Sequence, residues 1–192
     1  GIANQVWGNA AADPHSLAFN EAGDWTGVLF AFYSAVAAIF ALSIPTIAKK
    51  IGRKKTYSYS LIFGGIGLIS MYFFHDKYIL FFSMIGIGMA WAAILAIPYA
   101  MLASSLPANK MGVYMGLFNG TITIPQIVAG AFGGIILGVQ KGAIFYNEAN
   151  EKCFEAADKG LFTGNAILMI VVAGISLLIA GLAVTTIQEK SE

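Results

Sequence analysis

The sequence predicts an all-α chain, a polytopic bundle of five membrane-spanning helices, and three observations predict it. The balance is apolar: 58% of residues are hydrophobic, 11% are charged and the mean hydropathy is +0.74, against roughly 25% charge in a soluble domain. The charges are also segregated, with no Asp, Glu, Lys, Arg or His between Trp25 and Ile47, Thr56 and Phe74, Tyr78 and Leu106, Val113 and Gln140, or Leu161 and Gln188. Each window is long enough to cross a hydrocarbon core, which takes roughly 20 residues at about 1.5 Å each. Finally, the basic residues collect on alternate sides of these windows.

Residues 1–24 are expected to be the end of a preceding helix and an outer, periplasmic loop, with the membrane domain following over 25–188. The first span, 25–48, carries Tyr33 and Ser34 about two turns in from the outer surface and Pro45 near its inner end. It closes on Lys49-Lys50-Ile51-Gly52-Arg53-Lys54-Lys55, five cations in seven residues, and such a cluster sits on the cytoplasmic side. That makes Lys49, Lys50, Arg53, Lys54 and Lys55 a topogenic loop. A basic stretch can also attract anionic lipid, but one this short needs only the topological explanation. The second span, 56–74, has no proline, and the aromatics Tyr72, Phe73, Phe74, Tyr78, Phe81 and Phe82 around the His75 turn form an interfacial belt.

The third and fourth spans, 78–106 and 113–140, each hold an interior proline, Pro98 and Pro125, and flank a short inner turn at Asn109–Lys110. Proline removes a donor and clashes with the carbonyl four residues back, freeing the carbonyls of Ile94 and Thr121. In lipid, such broken backbone is tolerated only where protein or a water-filled cavity satisfies it. Pro45, Pro98 and Pro125 are thus the expected bending points of a pathway wall. The fifth span, 161–188, is smooth and leads to a cytoplasmic tail, 189–192. With this topology the inside holds seven Lys/Arg and two acids, the outside four Lys/Arg and eight acids. The chain therefore starts outside and ends in the cytoplasm.

The polar side chains of the proline helices fall in stripes. Asn119, Thr123 and Gln126 are spaced by four and three and share one helix face. Gly88, Trp91, Leu95 and Tyr99 form a similar stripe, offering an indole, a phenol and an open groove at Gly88. Neutral amides, hydroxyls and aromatic faces suit an uncharged, polyhydroxylated ligand, whereas an ionic substrate would want a fixed counter-charge. Trp91, Tyr99, Asn119, Thr123, Gln126 and Tyr33 are the candidate substrate contacts. Gly116/Gly120, Gly130/Gly134 and Gly174/Gly181 are read instead as close helix approaches.

Other chemistries find little support in the residues. Cys153 is single, so it has no disulfide partner within the chain, and His15 and His75 lie in outside segments, so neither a metal site nor a cofactor is expected. A membrane enzyme would have to rest on Asp13, His15, Glu21 and Asp24. The order proline, smooth, proline, proline, smooth suggests two three-helix units with the first helix missing, as in transporter halves.

The stretch WAAILAIPYAMLASSLP (91–107) followed by KMGVYMGLFNGTITIPQI (110–127) resembles helices ten and eleven of major facilitator superfamily sugar transporters. The likeness is to the branch related to plant sucrose transporters and the glycoside–pentoside–hexuronide cation symporters. There a WA…(M/I)PYA motif leads through a short loop into G-YMG-FN…PQ. Similarly, DWTGVLFAFYSAVAAIFALSIP (24–45) resembles helix eight, and GIANQVWG (1–8) the outer end of helix seven.

The resemblance implies the carboxy-terminal half of a twelve-helix inner-membrane carrier, a fragment lacking most of helix seven and its amino-terminal half. It also implies alternating access, with a neutral sugar such as an α-glucoside moving together with a proton. The partners implied are sugar, proton, membrane lipid and the missing half, and no nucleic acid. A carrier of a non-sugar solute and a small five-span subunit without transport activity are the alternatives. One family signature, Gly-x-x-x-Asp-(Arg/Lys)-x-Gly-(Arg/Lys)-(Arg/Lys), is degraded. Aligned on Gly52, its acidic position is Lys49 and its leading glycine Pro45.

Overall fold

Ser16 starts the first helix: its Oγ accepts the Phe19 N–H at 3.0 Å, the usual way a serine satisfies a donor that has no partner within the helix. In the computed structural model, which describes residues 6–8, 16–106, 110–136 and 166–186, five helices follow. They are α1 (Leu17–Ile51), α2 (Arg53–Phe73), α3 (Leu80–Ser105), α4 (Met111–Ile136) and α5 (Ala166–Thr186). No strand occurs among the described residues. Two compact units divide the chain: residues 1–101 with 170–192, and residues 102–169.

α1 corrects one expectation. Residues 17–24, placed in an outer loop, are the first two turns of a 35-residue helix, about 52 Å long at 1.5 Å per residue. A charge-free window marks the length that fits hydrocarbon, whereas a capped helix continues into the interface, where Glu21 and Asp24 meet water. The helix runs through Pro45 and ends at Gly52, whose φ of 90° is open to glycine but costly for other residues. That one residue turns the chain from α1 into α2, with its N–H donating to the Ala48 carbonyl at 2.9 Å.

α2 buries its polar face. Thr56, Ser58, Ser60 and Ser83 of α3 are each no more than 2% exposed, while Tyr59, Phe63, Ile66 and Phe73 point outward. Ser58 Oγ donates to the Gly181 carbonyl of α5 at 2.6 Å, and the Ser70 and Ser83 hydroxyls pair at 2.7 Å between α2 and α3. Glycines let the backbones meet. A Cβ on Gly65 would stand 2.8 Å from the Gly174 oxygen, and one on Gly67 2.7 Å from that of Ser83. The Gly174/Gly181 expectation therefore holds. For Gly116, Gly120 and Gly130, in the second unit, nothing among the described residues lies within 4 Å of a Cβ built there. Spacing shows that small residues share a face, not that a neighbour fills it. Gly134 lies outside the residues whose side chains are described.

Without a hydrophobic drive between helices in lipid, such hydroxyl contacts contribute about 0.6 kcal/mol on average and at most about 1.7. Ser58→Ala is expected to destabilise the protein by that amount, read as a lower midpoint in SDS-titration unfolding. By length and apolarity, α1, α3 and α5 qualify as membrane spans among the described residues. His15, Cys153, the 137–165 segment and the tail lie outside the described residues.

At the end opposite the basic turn, the first unit is tied by aromatics and one ion pair. Trp25 Nε1 donates to the Lys77 carbonyl at 3.0 Å, and its ring meets Tyr78 and Phe81 edge-on at 5.3 and 5.8 Å. Lys77 Nζ lies 2.9 Å from Glu21 Oε1 and 5.3 Å from the centre of the Trp25 ring. The hydrogen bond to Glu21 raises the Lys77 pKa above the ordinary lysine value.

Candidate functional site

Two helices of the first unit turn aromatic residues toward one another. On α1, Trp25, Leu29 and Tyr33 are four apart, and on α3, Met84, Ile87 and Trp91 are spaced by three and four, so each set lies on one face. Between them is a cavity of about 460 Å³ that these residues line together with Trp7, Thr26 and Phe30. All three tryptophans of the chain thus line one cavity. Its floor is the buried cluster Leu29, Met71, Leu80 and Met84.

None of its lining residues is Asp, Glu, Lys, Arg or His. The polar groups available are few and neutral. Thr26 Oγ1 already donates to the Ala22 carbonyl at 2.7 Å, and the Trp25 indole to Lys77. Trp91 remains 47% exposed, so its face is open to a ligand.

The candidate residues are placed unequally. Trp91 and Tyr33 line this cavity. Tyr99, two turns further along α3, is half-buried and does not. The groove expected at Gly88 is closed: Gly88 is buried, and a Cβ there would stand 2.7 Å from the Tyr33 carbonyl oxygen and 3.0 Å from Val36 Cγ1. The missing side chain is filled by α1, beside the cavity that Tyr33 and Trp91 both line.

Asn119, Thr123 and Gln126 lie on α4 in the second unit, all three exposed. Beside them Thr121 Oγ1 donates to the Phe118 carbonyl at 2.7 Å. Pro98 and Pro125 lie inside unbroken α3 and α4, as Pro45 does in α1. Lys49 and Lys50 occupy the last turn of α1 and Arg53, Lys54 and Lys55 the first turn of α2. Trp7, Trp25 and Phe30 were not among the sequence candidates. Their spacing gives no sign of a common cavity, and only tertiary packing assembles them.

The family model of the Major Facilitator Superfamily matches residues 9–190, all but the first eight and last two residues. The chain belongs to that superfamily. No curated protein and no solved structure matches it. Membership in the superfamily, with helices long and apolar enough to cross a bilayer, makes this an integral, multi-pass membrane protein of the major facilitator transporter kind. Within the superfamily the chemistry asked of such a site is recognition and release, and an uncharged aromatic cavity is suited to both.

Proposed function

We propose that this chain forms the carboxy-terminal half of a carrier that moves a neutral sugar across the inner membrane by alternating access, with a proton as coupling ion. The observation that carries the reading is the cavity that Trp91 of α3 and Tyr33 of α1 both line, with no charged residue in its lining. An aromatic ring covers the apolar face of a pyranose at low entropic cost, and the lack of a fixed charge disfavours an ionic substrate. Tyr99 on α3 and, in the second unit taken by itself, Asn119, Thr123 and Gln126 on α4 are side chains of the neutral kind that sugar hydroxyls pair with. Proton coupling requires a protonatable group in the pathway. The charge-free windows contain none, so the coupling acid in this reading belongs to another part of the carrier. Pro45, Pro98 and Pro125 are the bending points.

Uptake of a sugar panel by proteoliposomes of the complete carrier tests the reading, and accumulation driven by an imposed pH gradient is the expected result. The nearly apolar floor of the cavity favours one rival, a carrier of an amphiphilic non-sugar solute. Binding of such a solute with no sugar binding would select it. Gln126→Ala is expected to weaken sugar binding about fivefold, the worth of one net hydrogen bond of about 1 kcal/mol, with expression unchanged. Unchanged affinity would remove Gln126 from the site.

A further inference from the structure

The stripe that lines the aromatic cavity from α1 continues past Trp25. Glu21, Trp25, Leu29 and Tyr33 are each four residues apart and share one face of the helix. A carboxylate therefore stands one turn beyond the lining residues, at the rim of the cavity and at the end opposite the basic turn. Glu21 itself lines no part of the cavity.

Two partners meet at this carboxylate. Lys77 Nζ reaches Glu21 Oε1 at 2.9 Å while lying 5.3 Å from the centre of the Trp25 ring and 5.6 Å from that of Tyr78. The Trp7 indole donates to the same carboxylate, and Trp7 does line the cavity. Val6 beside it packs against the buried cluster of the floor.

The two tryptophans at this rim are held differently. Trp25 sits within α1, with its indole bonded to the Lys77 backbone and its ring edge-on to two others. Trp7 lies outside the five helices, and the residue after it, Gly8, is exposed with a φ of 74°. Nothing among the described residues lies within 4 Å of a Cβ built on Gly8. Glycine takes either sign of φ at little steric cost, so the backbone can turn there. The Glu21 side chain that holds the Trp7 indole is 54% exposed, and exposed ion contacts are weak. Such a contact can break without disturbing the core.

We propose that Trp7 is a lid on the aromatic cavity and that Glu21, fixed by Lys77, is the latch that holds it shut. Glu21 is then a positioning residue that acts on the cavity through Trp7. Opening turns the chain at Gly8 and leaves Trp25 and the floor in place. The lid gains its meaning for transport from the reading of this cavity as the ligand site, but its test needs no ligand, so either can fail while the other stands.

The full chain carrying Cys153→Ser and Met84→Cys has one thiol, at a floor position where Met84 is 8% exposed. Its alkylation by a water-soluble maleimide, in phosphatidylcholine nanodiscs, is timed by mass spectrometry. Glu21→Ala is expected to speed alkylation about three- to tenfold, the effect of losing one net hydrogen bond. Glu21→Gln, which keeps an acceptor for the indole, should give a smaller rise. Trp7→Phe keeps a ring but removes the donor and should match Glu21→Ala, and the two combined should add nothing to either alone. Asp24→Asn removes an acid three residues along α1 and should leave the rate unchanged. The unfolding midpoint of each variant verifies its fold. An unchanged rate in folded Glu21→Ala would overturn the proposal. So would a further rise when Glu21→Ala is added to Trp7→Phe, because Glu21 would then act by another route. An equal rise in Asp24→Asn would replace the latch with a general loosening of the helix end.

Discussion

Gly88→Ala is expected to lower the unfolding midpoint of the protein and to weaken ligand binding at the same time. The added methyl would stand 2.7 Å from the Tyr33 carbonyl oxygen. A backbone oxygen in mid-helix cannot rotate away, so α1 itself must shift. Overpacking of this kind costs about 1–3 kcal/mol, and Gly88→Leu costs more. The shift carries Tyr33 away from Trp91, which couples the stability loss to the cavity. Gly116→Ala is the control: no neighbour meets its Cβ among the described residues, and alanine gains up to about 1 kcal/mol of helix propensity over glycine. Its midpoint should stay level or rise. SDS-titration unfolding of the two variants checks the contact, and equal midpoints would mean that α1 and α3 do not meet at Gly88.

Trp91→Ala is expected to reduce sugar affinity about 10- to 100-fold while leaving the unfolding midpoint in place. The ring is 47% exposed, so its removal opens no closed void in the core, in contrast to Gly88. Burying an aromatic face against a ligand contributes about 1.5–3 kcal/mol, which converts to that loss of affinity. Trp91→Phe should keep part of it. Because Trp7, Trp25 and Trp91 all line this cavity, ligand titration in the complete carrier can be followed by intrinsic fluorescence. A ligand that binds with unchanged affinity to Trp91→Ala would place the site elsewhere.

The fold class was legible because lipid imposes a simple rule on sequence: spans exclude charge, and basic turns mark one side. The windows at 56–74 and 78–106 lie over α2 and α3 for that reason. Helix ends were less legible, as the extra turns from Leu17 show, since a cap such as Ser16 acts locally while the window reports only the apolar length. Trp91 stands out by helical spacing and Tyr33 by its depth in the span, and both line one cavity. What spacing leaves out is the neighbour. Gly88 and Gly116 look alike in sequence, yet one is filled by α1 and the other meets nothing among the described residues. Trp7 and Trp25 join the cavity from 84 and 66 residues away in sequence from Trp91, a distance over which no periodicity speaks.

The glycine and serine seam of α2 has a mechanical consequence. Side chains give two helices a compressible layer on which to slide, and at Gly65 and Gly174 that layer is missing. Backbone meets backbone there, and Ser58 pins the pair again at Gly181. Neither α2 nor α5 contains a proline. The two helices behave as a single stiff beam. Any deformation within the first unit is left to α1 and α3, whose hydrogen-bond ladders Pro45 and Pro98 interrupt and which between them line most of the aromatic cavity.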